Sequence, residues 1–371
     1  MSKTTPAETT DVNAEKTNHL KGIALLLLMW HHLFGVAYIR GWLAVIPGIQ
    51  PVEFIFGAAG KICISIFLFC SGCGLYRSYI NNEKPKKFYI FQRLVKVLIP
   101  YWIIMLIAVI YLMFAGKFDP RYVFPNLFAL IHSNDMMYVS FSWFIKLYLL
   151  LILLLPLVRL IERKWKKNAL MDILIYIVLP LAVALVFARY QDESRFVDVP
   201  SFLVSTALFA LSWFPQFAIG FLFAKYGSYR YVRKAADKMP AFLTITLSIT
   251  VIAVMMFLKY LTGLYFKNTI IFLDSMDDVL YGPVIICGFL LIIDNLKYKS
   301  KYVIPYLGRN SIFYWLLSGM FFLNTVELLP IITWPRVSLL IYLWTFLLLT
   351  PFVFCCSWLS DKLIKLICRK T

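Results

Sequence analysis

Two adjacent histidines, His31 and His32, lie inside a long apolar stretch that begins just after Lys21. Ionisable side chains within apolar helices are energetically costly, so their presence indicates a function. Eleven residues separate Lys21 from His32. In an α-helix that spacing is close to three turns and a rise of about 16 Å, whereas His31 points roughly 80° away. The spacing therefore predicts that Lys21 and His32 share one helix face.

An imidazole in line with a cation suits proton transfer beside a bound anionic ligand. Histidine often acts as a general base because its pKa lies near neutral pH. We interpret His32 as a candidate catalytic base, His31 as part of the substrate pocket, and Lys21 as a cation at the cytoplasmic mouth. The alternative is a histidine that only hydrogen-bonds a neighbouring helix.

A second group of polar residues comprises Ser71, Gly72, Arg93 and Lys96. The two small residues allow a ligand or another backbone to approach closely. Arg93 and Lys96 are three residues apart, so they share a helix face. With Lys21 they could bind a phosphate-rich ligand, arginine as a planar fork and lysine as a point charge. The alternative for these cations is ordinary anchoring at the cytoplasmic surface.

Trp143, Arg309 and the cysteines complete the set of candidates. Trp143, at the predicted outer start of a helix, is either a substrate platform or an interfacial anchor. Arg309 adds a cation to the inner cluster. Cys70 and Cys73 form a C-x-x-C inside an apolar stretch, without the strand context of a redox motif, and they are read as helix-packing residues. No Cys/His cluster has the spacing of zinc ligands, so we predict no metal site.

The elements that must position these residues are membrane helices. Hydrophobic residues make up 61% of the 371 positions and charged residues 15%, whereas soluble domains are nearer half apolar and about a quarter charged. The formal charge of +18 could indicate a nucleic-acid binder. The basic residues are instead scattered among apolar spans, where they act as topology signals. We expect membrane lipids and no nucleic acid among the partners.

Ten apolar runs are long enough to cross the bilayer core, which takes about 20 residues each. They cover residues 22–46, 54–76, 94–115, 138–158, 169–188, 201–224, 241–262, 278–294, 303–325 and 337–359. With the N-terminus inside, most of the 37 lysines and arginines lie on the cytoplasmic side. The sequence thus predicts an all-α polytopic membrane protein with both termini cytoplasmic. Its parts are a disordered tail (1–18), a transmembrane domain (19–362) and a basic tail (363–371).

Taken in order, the polar motifs resemble those of the integral-membrane acyltransferase-3 family, which includes O-acyltransferases of polysaccharides and the cell envelope. The likeness covers about residues 19–360 and rests on the order of the motifs within the ten-helix frame. The matching elements are Lys21-Gly22-Ile23-Ala24 with His32, Phe67-Leu68-Phe69-Cys70-Ser71-Gly72, Arg93 with Lys96 and Pro100, Trp143-Phe144, Phe217-Ala218-Ile219-Gly220, and Gly308-Arg309-Asn310-Ser311. The chain departs from the pattern at Lys21 and Lys96, where the family has arginine and its bidentate fork. Ser318 stands where many members have a second histidine.

The resemblance implies an acyltransferase in the cell membrane of a bacterium. It would move an acyl group, acetyl first and succinyl as an alternative, from cytoplasmic acetyl-CoA to a hydroxyl of an envelope glycan or lipid-linked sugar. Lys21, Arg93, Lys96 and Arg309 would bind the coenzyme A phosphates, and His32 would act as general base or carry the acyl group. The outer-side carboxylates that could orient His32 are Asp135, Glu53, Asp277 and Asp278.

A transporter or flippase for a polysaccharide or lipid-linked oligosaccharide is the alternative from another class. It would equally explain ten helices and a polar cavity. The sequence shows no internal repeat of the kind that many transporters have, and its one deep ionisable site favours an enzyme. A scaffold protein, the third possibility, gives no reason for Lys21 and His32 to share a helix face.

Overall fold

A computed structural model describes residues 11–37, 39, 51–130, 137–164, 168–186, 199–266, 276–296, 302–324 and 328–368, without the side chains of 199–205, 266, 323 and 324. All regular elements within these ranges are helices. The helices are α1 (Ala14–Val36), α2 (Val52–Ile80), α3 (Tyr89–Phe114), α4 (Trp143–Lys164), α5 (Ala169–Val186), α6 (Val199–Tyr226), α7 (Ser228–Ala236), α8 (Ala241–Phe266), α9 (Asp278–Asn295), α10 (Val303–Arg309), α11 (Ser311–Gly319), α12 (Leu329–Ile332) and α13 (Ser338–Cys368). Two short helices, Pro120–Tyr122 and Val123–Leu127, lie between α3 and α4.

Within the described residues, nine helices are long and apolar enough to cross a membrane, namely α1 to α6, α8, α9 and α13. The remaining predicted span, 303–325, is divided into α10, α11 and a π-helical turn, Met320–Asn324. The division occurs because Asn310 leaves helical geometry, with φ −101° and ψ 10°. The predicted all-α polytopic architecture is confirmed. Nine of the ten predicted crossings are single long helices among the described residues, and the span 303–325 is broken.

Both terminal boundaries differ from the sequence prediction. The Asn13 side-chain oxygen accepts a hydrogen bond from the Lys16 backbone N–H at 2.9 Å, and this N-cap starts α1 at Ala14. Residues 14–18, predicted to belong to a disordered tail, are therefore helical. At the other end α13 continues to Cys368, so most of the predicted basic tail extends the last helix.

The chain forms two compact units. Unit 1 comprises the residues up to 24 together with 62–85 and 155–309, and unit 2 comprises 25–61, 86–154 and the residues from 310 onward. Each unit is packed by its own close helix crossings and hydrogen bonds.

In unit 1, α2 and α6 cross so closely that only glycine fits at the contact. A Cβ on Gly72 would overlap the carbonyl oxygen of Phe217, and a Cβ on Gly220 would overlap the carbonyl oxygen of Phe69. The Cys73 thiol adds a hydrogen bond to the Gly220 carbonyl at 3.0 Å. Small residues permit this backbone contact, which gives van der Waals packing where lipid supplies no hydrophobic drive.

A buried ion network joins α4, α5 and α6 within unit 1. Lys225 Nζ lies 2.6 Å from Glu162 and 2.5 Å from Asp172. The hydroxyls of Tyr176 and Tyr226 donate to these two carboxylates at 2.9 and 2.5 Å. Buried charges are tolerated when they are paired and hydrogen-bonded in this way. The network therefore links α4, α5 and α6.

In unit 2, α1 packs against the first turns of α2 and against α13. A Cβ on Gly57 would lie 2.6 Å from the backbone nitrogen of Gly35. The Trp30 indole N–H donates to the Glu53 carbonyl at 3.0 Å, and the Tyr342 hydroxyl donates to the α1 backbone at 3.0 Å. These contacts fix the part of α1 that carries His31 and His32.

Candidate active site

His32 lies in a π-helical turn, His31–Val36, that ends α1. Insertions of this kind occur frequently at functional sites. The side chain is buried, with 4% of its surface exposed. His32 is 18 residues from the first residue of α1 and four from the last, so it lies nearer the predicted outer end than the middle of the helix. In the predicted span 22–46 the same residue would lie near the middle.

Ser318 of α11 orients the His32 ring. The Ser318 hydroxyl donates its single proton to the Trp315 carbonyl at 2.7 Å. Its oxygen lies 2.9 Å from His32 Nδ1, and it must therefore accept the Nδ1–H. A neutral imidazole carries one proton, so this hydrogen bond leaves the lone pair on Nε2. The arrangement presents Nε2 as the nitrogen that can accept a proton or an acyl group.

Phe141 covers one face of the imidazole. The two rings are stacked, with centroids 4.1 Å apart and an interplanar angle of 17°. Phe141 has a φ of 65°, a left-handed conformation that costs about 1–3 kcal/mol for a residue with a side chain and that clusters at functional sites. Gly319 allows this turn to approach, since a Cβ there would lie 2.5 Å from the Ser140 carbonyl oxygen. The strained turn thus holds the Phe141 ring against one face of the His32 imidazole.

The structure places His31 and Trp143 beside this centre with different contacts. His31 Nδ1 donates to the Gly57 carbonyl at 2.7 Å, and its ring centroid lies 6.0 Å from that of His32. Trp143 follows Phe141 closely in the chain, but its ring packs edge-on to Phe144 at 5.9 Å. His31 and Trp143 thus lie in unit 2 with His32. Sequence reasoning missed the contact that Phe141 makes.

Glu53, one of the carboxylates predicted to orient His32, is buried and engaged elsewhere. Its Oε1 accepts from the Ser338 hydroxyl at 3.4 Å. Asp135 lies outside the described residues. The group on His32 Nδ1 is thus a serine hydroxyl. The only signal for it in the sequence was that Ser318 replaced an expected histidine.

Asp277 and Asp278, the other predicted carboxylates, belong to an ion cluster inside unit 1. Asp278 pairs with Lys259 and accepts from the Ser65 hydroxyl at 2.6 Å. Asp277 Oδ1 lies 3.6 Å from the same lysine nitrogen. The described partners of both aspartates are a cation and a hydroxyl of their own unit.

Arg93 and Lys96 lie in the first turns of α3, in unit 2. Arg93 Nε donates to the Tyr89 hydroxyl at 2.9 Å, and the guanidinium lies over the Tyr89 ring, 5.2 Å from its centroid. Lys96 is exposed, and Arg93 is half-buried. The stacked guanidinium is held in one orientation and can still present N–H donors to an anion.

Lys21 and Arg309 flank a second glycine crossing, inside unit 1. A Cβ on Gly22 would overlap the Ile304 carbonyl oxygen, and a Cβ on Gly308 would overlap a carbonyl oxygen of α1. Because each cation directly follows or precedes one of these glycines in the chain, the crossing brings the two segments that carry them together. Lys21 is half-buried and Arg309 is exposed.

Ser71 contacts its own helix, and Gly72 contacts a neighbouring helix. The Ser71 hydroxyl donates to the Phe67 carbonyl one turn earlier, at 2.8 Å. Gly72 forms the α2–α6 crossing with Gly220. The sequence allowed either a ligand or another backbone to approach Gly72. In the structure the backbone of α6 occupies this place.

A cavity of about 600 Å³ lies in unit 2 beside the last residues of the helix that carries His32. Ala37 lines it, and the Ala37 backbone N–H donates to the His32 carbonyl at 3.0 Å. Trp334, which is 72% exposed, and Arg336 also line it. The Trp334 ring lies 5.8 Å from that of Trp344. The volume falls within the range of about 300–1,000 Å³ that is usual for small-molecule sites.

Comparison with known proteins gives one match. A protein-family model described as an acyltransferase domain matches residues 16–362, nearly the whole chain. No curated protein and no solved structure matches the chain. The matched range contains every candidate site residue described above.

Proposed function

Because the chain belongs to the acyltransferase-3 family, and is thus a membrane acyltransferase, we propose that it moves an acetyl group from cytoplasmic acetyl-CoA to a hydroxyl of an envelope glycan or lipid-linked sugar. It would act in the cell membrane of a bacterium. The observation that carries this proposal is the orientation of His32 by Ser318. A fixed, buried imidazole with one directed lone pair is what activation of a hydroxyl requires.

The proposed step uses His32 Nε2 as the general base. Nε2 takes the proton of the acceptor hydroxyl while the hydroxyl oxygen bonds to the thioester carbonyl carbon. Collapse of the tetrahedral intermediate breaks the carbon–sulfur bond, and the proton passes from His32 to the leaving thiolate. If His32 instead carries the acyl group, Nε2 first attacks the thioester carbonyl carbon and the carbon–sulfur bond breaks, releasing the thiolate. The acceptor hydroxyl then attacks the acyl-imidazole, the acyl–nitrogen bond breaks, and the hydroxyl proton passes to the thiolate. Acyl-protein that accumulates with acetyl-CoA in the absence of acceptor would distinguish this second route.

The direct test uses purified full-length protein with acetyl-CoA and an oligosaccharide released from the host envelope. We expect acceptor-dependent release of the coenzyme A thiol, together with an acetylated sugar in the mass spectrum. Succinyl-CoA in a parallel reaction tests the acyl chain. Thiol release at background with both donors would contradict the proposal, and movement of an unmodified glycan across proteoliposomes would favour a transporter.

In each unit, taken separately, the predicted cations suit the phosphates of the donor. Arg93 offers an oriented guanidinium in unit 2, beside the exposed Lys96. Lys21 and Arg309 flank the glycine crossing in unit 1. Arginine binds phosphate in a bidentate manner and lysine as a point charge, so both kinds of group suit the pyrophosphate and 3′-phosphate of coenzyme A.

Arg93→Ala is expected to weaken binding of coenzyme A. Charge-assisted hydrogen bonds contribute about 1.5–3 kcal/mol, so the Kd should rise roughly tenfold or more, while the KM for the acceptor stays the same. Titration calorimetry with coenzyme A measures the change. Lys365→Ala, which removes an exposed cation near the end of α13, is the control. An unchanged Kd for Arg93→Ala would show that Arg93 does not bind the donor.

We propose that the acceptor sugar enters the cavity beside the end of α1. The cavity lies in the same unit as His32. One of its lining residues, Ala37, donates a backbone hydrogen bond to the His32 carbonyl. Trp334 offers a large apolar face, and Arg336 offers hydrogen-bond donors for hydroxyl or carboxylate oxygens. An apolar face with a few polar groups is typical of sites that fix the orientation of a small ligand.

Trp334→Ala is expected to raise the KM for the acceptor about three- to tenfold, since an aromatic contact contributes about 0.5–1.5 kcal/mol. The KM for acetyl-CoA and the amount of folded protein should not change. Steady-state kinetics with the acceptor varied at saturating donor give the answer. Trp358→Ala is the matched control, because Trp358 is also exposed but packs on Lys362. Equal effects of the two variants would refute a role for the cavity in acceptor binding.

A further inference from the structure

An apolar groove of about 350 Å³ runs along unit 1 between α6, α8 and α9. On α8 its lining extends from Thr244 to Val251, a distance of about 10 Å along the helix. Leu247 is 48% exposed and Val284 is 38% exposed, and both belong to helices that are long and apolar enough to cross a membrane. The groove is therefore open along the side where lipid chains would lie.

Gly288 lines the groove where α9 packs closely on α8. A Cβ at this position would lie 2.8 Å from Ile252 Cγ1, so any larger residue would force the two helices to shift. Cys287 and Leu291 continue the lining along α9. The groove thus has the apolar walls that suit a flexible hydrocarbon chain.

A short amphipathic helix, α7, closes one end of the groove. Val232 of α7 and Met239, just after it, are lining residues. Tyr229 and Ala236 are buried against the unit, and the Tyr229 hydroxyl donates to Asp294 at 2.7 Å. Burial and the Asp294 carboxylate raise the pKa of Tyr229 above its usual value. This anchoring leaves the opposite face of α7 exposed at the predicted cytoplasmic surface.

The exposed face of α7 and the turn after it are strongly basic. The segment carries four cations and one carboxylate: Arg230, Arg233, Lys234, Lys238 and Asp237. The carboxylate already pairs with Arg233 at 2.8 Å. Lys234 and Lys238 are exposed and one helical turn apart, and Lys238 directly precedes the lining residue Met239. An interfacial helix of this composition favours anionic lipid.

We propose that the groove and α7 form a binding site for one anionic glycerophospholipid of the cytoplasmic leaflet. An acyl chain would occupy the apolar groove, and the phosphate-bearing headgroup would contact Lys234 and Lys238. An anionic and a neutral lipid would fill the groove equally. The positive charge of Lys234 and Lys238 therefore selects the anionic one. A protein helix fits poorly, because the face that it would have to meet on α7 is charged. This site is independent of acyl transfer.

The test measures lipid retained by the purified full-length protein. The protein is equilibrated with equal amounts of palmitoyl-oleoyl phosphatidylglycerol and the corresponding phosphatidylcholine, washed with detergent, and examined by native mass spectrometry. We expect one retained phosphatidylglycerol per chain, at least severalfold over phosphatidylcholine. Equal retention of the two lipids, retention of neither, or a second copy of the chain in place of lipid would overturn the proposal.

Two matched pairs of variants separate the groove from the charged rim. Val251→Trp fills the groove and should abolish retention, whereas Val254→Trp, on an exposed position of α8 outside the lining, should retain lipid. Lys234→Gln with Lys238→Gln should keep a bound lipid but lose the preference for phosphatidylglycerol. Lys84→Gln with Lys164→Gln removes two other exposed cations and should keep it. Retention by Val251→Trp equal to that of the native protein would refute the groove.

A photoactivatable phosphatidylglycerol tests the native protein if Val251→Trp fails to fold. With a diazirine in its acyl chain, the lipid should label peptides that contain the α8 and α9 lining residues, and excess unlabelled phosphatidylglycerol should suppress the labelling. Labelling confined to other helices would overturn the proposal.

Discussion

Replacing His32 by alanine is expected to reduce acyl transfer by at least about 100-fold, since general acid–base catalysis contributes roughly 10²- to 10⁴-fold. The variant should still insert and fold, because the contacts that it loses are modest: one hydrogen bond to Ser318, worth about 1 kcal/mol, and the stacking on Phe141, worth about 0.5–1.5 kcal/mol. The measurement is release of the coenzyme A thiol by purified protein, alongside analysis of glycan acetylation in cells. The Kd for coenzyme A should stay the same, which separates loss of chemistry from loss of donor binding.

His19→Ala is the matched control for this variant. His19 is also a buried histidine of α1, with Nδ1 donating to the Glu15 carbonyl at 3.0 Å, but it lies 13 residues earlier in the chain. It should retain transfer. Glycan acetylation that persists in cells with His32→Ala would exclude both the general-base and the acyl-carrier role, because each needs the same ring.

Ser318→Ala is expected to lower kcat about five- to thirtyfold with little change in either KM. The hydroxyl does not touch the reacting atoms; it acts by holding His32 Nδ1–H. Without it a buried N–H loses its partner, at a cost of about 1–2 kcal/mol, and the other tautomer becomes accessible. Ser318→Thr keeps the hydroxyl and should restore most of the rate, which a purely structural role for Ser318 would not predict.

The control for Ser318 is Ser338→Ala. Ser338 is likewise fully buried in unit 2, but its hydroxyl donates to the Glu53 carboxylate. Steady-state kinetics of the three variants, with folded protein quantified by size-exclusion chromatography, complete the comparison. If Ser338→Ala lowers kcat as much as Ser318→Ala does, the effect belongs to packing and Ser318 has no positioning role.

The helical frame could be predicted from the sequence because it depends on two strong signals. Runs of apolar residues set the length of each crossing, and the distribution of lysine and arginine sets its direction. The start of α1 was predicted too late because the Asn13 cap lies among polar residues that give no hydropathy signal. The break at Asn310 falls in the short polar run Gly308-Arg309-Asn310-Ser311, which is too brief to divide the apolar span 303–325 in a hydropathy average.

The candidate base could be predicted because its signal is local, whereas its surroundings could not. Lys21 and His32 lie on one helix, so periodicity alone relates them. Ser318 and Phe141 reach His32 from distant parts of the chain, and no spacing rule connects them. A hydroxyl also carries no charge, so the carboxylates Asp135, Glu53, Asp277 and Asp278 were predicted as possible partners of His32, and Ser318 was not.

The glycines of the family-like motifs illustrate a second limit. From the sequence, Gly72 could have admitted either a ligand or a backbone. The structure shows that Gly72 meets Gly220, and that Gly22 meets the segment of Gly308. Each pair joins two motifs that are far apart in the chain. Part of each motif therefore serves helix packing.

The hydrogen bond between His32 and Ser318 joins residues 286 positions apart in the chain, and Gly22 and Gly308 are separated by the same interval. At roughly 5–20 residues per second, α1 emerges from the ribosome about 15–60 s before its partners exist. During that interval the helix must sit in the bilayer with His32 lacking Ser318, or be held by an insertion factor. A chain that ends before residue 318 therefore has an imidazole without the hydroxyl that orients it.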